Sequence, residues 1–233
     1  MCMGRLRGLL MYSRLNTRGR PGRPTRTGRA GAAGADAASP PEFVSYEYTD
    51  LANSGTTVNI PAHEAGDIGL AILYRDSSVP GLPAGWTNVL ATTLVSVSFR
   101  VCYKALDGAE TTLTAATSVF QAGVAVFRGV DQFASGTWTN GSSGSWDAPA
   151  GHASDLTPHQ LDVVILGVGD DINNPGGPAG FTLADWSKNI SGSDESLGCW
   201  YKVGSSGSQY AGETDVAAMI DNWTAITTTG LVS

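Results

Sequence analysis

Charged residues are scarce in this chain: Asp, Glu, Lys and Arg together supply 15% of its 233 residues. Strongly helical domains rely on Glu, Lys, Ala and Leu. The shortage of charge, set against 30 Gly and abundant Ser and Thr, therefore points to a β protein with many turns. Cysteine is nearly absent as well. Cys2, Cys102 and Cys199 are too few for a disulfide framework, and a reducing cytoplasm is the expected place of synthesis. No stretch approaches about 18 consecutive apolar residues, which excludes a membrane-spanning helix. The segment "LRGLLMYSRL" is too short and too interrupted by Arg to be the core of a secretory signal.

Catalytic motifs are missing too. The three histidines, His63, His152 and His159, have neither H-x-H nor H-E-x-x-H spacing. There is no G-x-S-x-G elbow, no phosphate-binding Walker loop and no dinucleotide fingerprint. The Gly-rich stretch "TNGSSGSWDAPAG" (Thr139–Gly151) lacks the strand before and helix after that a phosphate cradle needs, so it is expected to be plain loop.

What is present is uneven. Residues 1–40 hold eight Arg and one Asp, a net charge of +7, whereas residues 41–233 hold six Lys or Arg and twenty Asp or Glu, a net charge of −14. The first 41 residues have no sustained periodicity and are rich in Gly, Pro, Arg, Thr and Ala. Such a segment buries too little apolar surface to offset its ordering entropy, so 1–41 is expected to be a flexible arm. The competing explanation is a start codon placed too far upstream. The arm's cations are Arg5, Arg7, Arg14, Arg18, Arg20, Arg23, Arg26 and Arg29. Without interleaved aromatics they would neutralise phosphates only non-specifically, or else grip an acidic protein surface.

From residue 42 onward the chain says the same thing twice. "PGLPAGWT" (Pro80–Thr87) returns as "PGGPAGFT" (Pro175–Thr182), 95 residues on. Before each copy lies an aspartate-led apolar run of strand length, "DIGLAILY" from Asp67 and "DVVILGVG" from Asp162. After each lies a Tyr-Lys strand end, Tyr103-Lys104 and Tyr201-Lys202, at an offset of 98. Gly129 and Gly230 close the match at an offset of 101. Growing offsets are loop insertions, which surfaces tolerate. Gly85 and Gly180 supply a turn conformation that a Cβ resists, and Trp86 and Phe181 are expected to be equivalent core anchors. "WTNVLATTLVSVSFRVCYKAL" is too long for one strand and should break near Leu94–Ser96. Each half offers about four strands and cannot cover its own apolar face. The expected fold is all-β: a jelly-roll-like β-sandwich of about eight strands built from similar halves, about 43–135 and 136–233, in one domain over 42–233.

Candidate binding groups are few, and each has a plain structural explanation. Carboxylates cluster at Asp170-Asp171 and at Asp194-Glu195. With Asn173 and Asn174, the stretch "GDDINNPG" offers oxygens to Ca²⁺, but it matches no EF-hand loop and reads first as a solvated turn with an Asx cap. No pair of carboxylates is placed as a glycosidase needs. Trp138, Trp146, Trp186 and Tyr210 sit in or near polar segments and could stack on sugars, or could simply pin their loops. Strand alternation leaves Cys102 with Arg100 and Lys104 as a half-exposed thiol, with Cys199 in the core position matching Val101. No cofactor or metal is expected.

The order "PAGWT … CYKALDGAE … AVFRGVD" resembles a family of small β-sandwich structural proteins of tailed bacteriophages, of the head-decoration or fibre type. The resemblance covers about residues 43–231. It rests on the Asp67–Tyr74 strand, the P-x-G-W-T turn, the Tyr103–Glu110 strand end and the Arg128–Asp131 terminus. The second half departs from it, since "TTTGLVS" has no Arg-Gly-x-Asp, and the basic arm lies outside it. The resemblance implies a virion component without catalysis, assembled in the host cytoplasm. It docks on the particle exterior as a capsid decoration or cement protein, against major capsid or tail proteins, as a homo-oligomer. The alternative is a tail- or head-fibre adhesion module that binds host surface glycans. No membrane is implied, and nucleic acid only through the arm. Arg128 and Asp131 are expected to clamp the Gly129 turn.

Overall fold

The computed structural model describes residues 39–75, 78–94, 97–142, 144–151, 161–169, 172–188, 195–204, 211–213, 218–219 and 222–232. The arm's arginines lie outside them. Among the described residues there is no helix, and thirteen strands follow in order. The first half supplies β1 (Glu42–Asn59), β2 (Ile68–Arg75), β3 (Thr87–Leu94), β4 (Val97–Ala105) and β5 (Thr112–Arg128). Then come β6 (Gln132–Phe133), β7 (Thr137–Gly141), β8 (Gly144–Ser145), β9 (Leu161–Val168), β10 (Thr182–Lys188), β11 (Ser196–Val203), β12 (Ala218–Met219) and β13 (Trp223–Leu231). The long run from Trp86 divides where expected, between Leu94 and Val97.

The first half forms one antiparallel sheet in the order β1-β5-β2-β4-β3. The second half forms another in the order β10-β11-β9-β13-β6, with β7 also on β13. Matching β2, β3, β4 and β5 to β9, β10, β11 and β13 makes the two orders the same, with β7 in the place of β1. The duplication seen in the sequence is thus a duplication of sheet topology. The strand count exceeds the expected eight, and the connectivity refines the jelly-roll-like expectation. A jelly roll draws each sheet from both halves of its chain, whereas here each half builds its own sheet, with β6 passing from the end of the first half into the second sheet.

The two sheets bury their inner faces against one another. Ile68, Leu70, Ile72, Phe99, Val101 and Phe127 of the first meet Leu161, Val163, Ile165, Leu197, Cys199 and Ile226 of the second in one core. Alternation along each strand puts these residues on one face. The contact is interdigitated. At Gly167 a Cβ would lie 1.9 Å from Phe99 Cζ, so the ring of one sheet occupies the space that glycine leaves in the other.

The outer faces are covered by different devices. In the first sheet, β1 and β5 are far longer than the strand segments legible in the sequence, and they curl over their own sheet. The end of β1 returns beside its own start, the Asn59 N–H donating to Thr49 Oγ1 at 3.1 Å and its Nδ2 to Glu47 Oε1 at 2.8 Å. Val58, Ile60, Leu113, Ala115 and Val119 then close over Ala71, Leu73, Cys102 and Val124. In the second sheet the cover is aromatic: Trp146, Trp200 and Trp223 lie over Val164, Leu166 and Val168. Thr139–Gly141 belong to β7 and Gly144–Ser145 to β8, so the segment expected to be plain loop carries strands. Its Gly and Ser content hid them. Pro41 is buried and Ser39 and Pro40 lie beside Gly129, so the body begins before residue 42.

The repeated phrase forms the same turn twice. The Trp86 N–H donates to Pro83 O at 3.2 Å and the Phe181 N–H to Pro178 O at 3.1 Å, with φ of +79° at Gly85 and +78° at Gly180. Both are type II turns, which need glycine at the third position. Two glycine substitutions should therefore fail for different reasons. Gly85→Ala meets no atom within 4 Å, so its cost, about 1–2 kcal/mol, is the left-handed backbone alone. Gly167→Ala should cost about 1–3 kcal/mol by overpacking against Phe99. Denaturant titration of both, each with and without Phe99→Leu, is the check. The second change should rescue Gly167→Ala only, and rescue of both or neither would refute the assignment.

Candidate functional site

Register places the starts of β2, β3, β9 and β10 and the ends of β4, β5, β11 and β13 at one end of the sandwich. Both repeated turns, the 60–66 segment and the 106–111 segment emerge there. So does the chain leading back to the arm, since Ser39 and Pro40 lie beside Gly129 at the end of β5. The repeated turns, the aspartate-led strand starts and the Arg128–Asp131 segment converge on this end.

Its centre is a charge lock. Asp67, 2% exposed, accepts Arg128 Nε at 2.9 Å and Nη2 at 3.0 Å, and also the Glu64 N–H at 2.9 Å. Arg128 Nη2 reaches Glu64 Oε2 as well, at 3.0 Å. Burial alone would raise the Asp67 pKa. Only together do the guanidinium hydrogen bonds of Arg128, the Glu64 N–H and the charges of Arg128 and His63 outweigh it, and they hold the carboxyl below its ordinary value. Arg128 thus ties β5 to the start of β2, and the backbone N–H of Asp131 donates to Leu231 O at 2.9 Å.

The second half keeps the aspartate and changes its partner. Asp162, 3% exposed, accepts Thr229 Oγ1 at 2.7 Å, and Thr229 stands where the first half has Arg128. The anchors diverge as well. Trp86 is buried, and its ring lies over Gly69, where a Cβ would sit 3.3 Å from Cη2. Position 69 corresponds to Val164 in the second half. Phe181 is only half-buried there, with Lys202 Nζ 5.7 Å from its ring centroid. The two aromatics hold equivalent turn positions but are unequally buried, because Val164 fills the gap that Gly69 leaves.

An open pocket of about 260 Å³ lies at this end between residues 60–63 and 108–111. Glu110 is engaged there, and His63 through one ring nitrogen only, its Nε2 being buried without a partner. His63 Nδ1 lies 2.7 Å from Pro61 O, so this nitrogen carries the hydrogen. Glu110 is held by Lys104 and by the Asp107 N–H.

Elsewhere the candidates disperse. Trp146 is fully buried and stacks on Trp200 with centroids 5.7 Å apart, and Trp186 packs beside Trp200 at 5.8 Å. Of the proposed sugar platforms only Trp138, on β7, is exposed, at 42%, and Tyr210 lies outside the described residues. His152, His159, Asp170, Asp171 and Asp194 lie outside them too. Asn174 closes an Asx turn, its Oδ1 accepting the Gly176 N–H at 2.8 Å. Glu195 is buried and receives the Gln121 amide. No group of three or more His, Cys, Asp or Glu converges among the described residues. The expectation of a half-exposed thiol at Cys102 is corrected. It faces outward from the sheet, but the curled β1 and β5 bury it completely. Burial pushes its pKa up to about 12, against a smaller lowering by Arg100, and burial raises Cys199 further still, with Asp185 adding to it. Comparison with family models, with curated proteins and with solved structures finds no match.

Two measurements follow. In the native protein at about pH 8, peptide-level mass spectrometry should find Cys102 and Cys199 unmodified by iodoacetamide, and both should react once the chain is unfolded. Rapid native labelling of either would contradict its burial. The lock predicts a pH signature. A carboxyl with a lowered folded pKa adds stability above the unfolded value of about 3.9, and loses it as pH falls through the folded pKa. Arg128→Thr, which copies the second half, should lower Tm at neutral pH by more than in acid below that folded pKa. An equal loss at both would show that Asp67 draws nothing from Arg128.

Proposed function

We propose that this protein is a non-enzymatic structural component of a tailed-bacteriophage virion, docked on the particle exterior as a capsid decoration or cement protein. The observation that carries this reading is the way the reactive groups are used. Asp67, Arg128, Lys104 and Glu110 are committed to joining segments of the fold, and the described thiols are buried with raised pKa values. Nucleophilic or acid–base catalysis needs such groups facing a cleft with matched pKa values. A sandwich with several short loops fixed at one end instead suits repetitive docking, because little entropy is lost when rigid loops bind. That end exposes Glu42, Glu64, Asp107 and Asp131, and the sequence before Ser39 carries eight Arg. The arm supplies charge opposite to the body's, which fits attachment to an acidic neighbour on a particle.

Gold-labelled antibody against the protein, applied to purified particles and viewed by electron microscopy, should decorate the heads at regular spacing. Labelling confined to tail tips would favour the glycan-binding fibre reading. That reading draws support from Trp138, whose exposed ring on an edge strand offers a stacking face. A glycan array repeated with Trp138→Ala would then separate the two. Purified particles lacking the protein altogether would reject both.

A further inference from the structure

At the side of the sandwich where β1 meets β10, the inter-sheet space is polar rather than apolar. Gln121 on β5 is fully buried, and its Nε2 donates to Glu195 O at 3.0 Å and approaches Glu195 Oε2 at 3.4 Å. Its Oε1 has no partner, and neither do the buried hydroxyls of Tyr46 and Tyr48. Tyr46 Oη lies over Gly123, two residues from Gln121 on the same inward face, at 1.9 Å from where a Cβ would stand. Facing them from the second sheet are Glu195, 4% exposed, and Asp185, whose carboxylate is bonded to Ser187.

Three orphaned oxygens beside two carboxylates between packed sheets are costly unless something satisfies them. The orphans are all oxygens, with spare acceptor capacity. A hard cation takes that donor set, carboxylate with neutral carbonyl and hydroxyl oxygens, and needs no cysteine or histidine. We propose that this inter-sheet space binds a divalent cation of the Ca²⁺ class, held by Glu195 and Asp185 with Gln121 Oε1 and the hydroxyls of Tyr46 and Tyr48. The ion would bridge strands of both sheets and pin the β1 edge to the β10 edge. The field is consistent with this: burial first, then Asp50, Glu195 and Asp185, raises the Tyr48 pKa, and burial with Cys199 and Asp185 raises that of Tyr46. The site is separate from the docking end, so its failure leaves the docking reading untouched.

The experiment uses the full chain stripped with chelator, then titrated with Tb³⁺ as a luminescent Ca²⁺ surrogate excited through tyrosine and tryptophan, with Ca²⁺ as competitor. Sensitised emission should appear and be displaced by Ca²⁺. It should drop at least tenfold in Glu195→Gln, and Ca²⁺ should raise the Tm of the parent but not of that variant. Tyr46→Phe gives a second, fold-independent readout. Without cation it should melt no lower than the parent, because it removes an unsatisfied hydroxyl, whereas with Ca²⁺ it should melt lower. Absence of saturable emission would overturn the proposal. So would emission indifferent to Glu195→Gln, or Tyr46→Phe with the same Tm difference in both conditions.

Discussion

Each half of this chain makes a sheet with an apolar inner face, and only the other half covers it. Ile68, Leu70 and Ile72 have no third layer to turn to, nor do Val163 and Ile165. Apolar area gains about 25 cal/mol per Å² only when water is excluded from it, so neither sheet is stable with that face open. The packing of Phe99 over Gly167 makes the mutual cover specific as well as greasy: a large ring in one half requires a missing side chain in the other. Duplication within a single chain fits this dependence, since it keeps the covering sheet permanently at hand and lets the two inner faces diverge toward complementarity.

Divergence is freest where that constraint does not act. The outer faces solve one problem in two ways, the first with the chain's own curled strands and the second with a tryptophan cluster. The aspartate that opens the second strand of each half keeps its place, but its partner is a guanidinium in one copy and a threonine hydroxyl in the other. A buried carboxylate needs donors of some kind, and either satisfies that need. The ionic version adds a connection to Glu64, and so ties the segment before β2 to β5 at the end where the repeated turns emerge.

That end and the polar inter-sheet space divide the molecule's unusual chemistry between them. At the end where both repeated turns emerge charge is exposed and mostly acidic, and its effect reaches outward, limited by a Debye length of about 8 Å at physiological salt. In the space beside β1 and β10 the carboxylates are enclosed, where electrostatic interactions are less screened and an unmatched group costs more. The first suits association, and the second suits holding the two sheets together.

How much of this was legible in the sequence depends on range. Strand alternation, the Leu94–Val97 break, the two glycine turns and the duplication are local or self-matching, and the bare sequence determined them: period two and a left-handed turn residue act over a few positions. The full length of β1 and β5 escaped notice because Thr, Ala and Gly weaken alternation there, and the short strands around Trp138 were hidden by Gly and Ser. Which groups meet was decided only by the tertiary structure. Arg128 finds Asp67 on another strand, Cys102 is buried by β1 and β5 curling over its own sheet, and Gln121 reaches Glu195 74 residues away. The identity of these residues was visible throughout. Their partners were not, because burial and pairing across sheets depend on what covers a face, and that is set by chain segments far from the residue concerned.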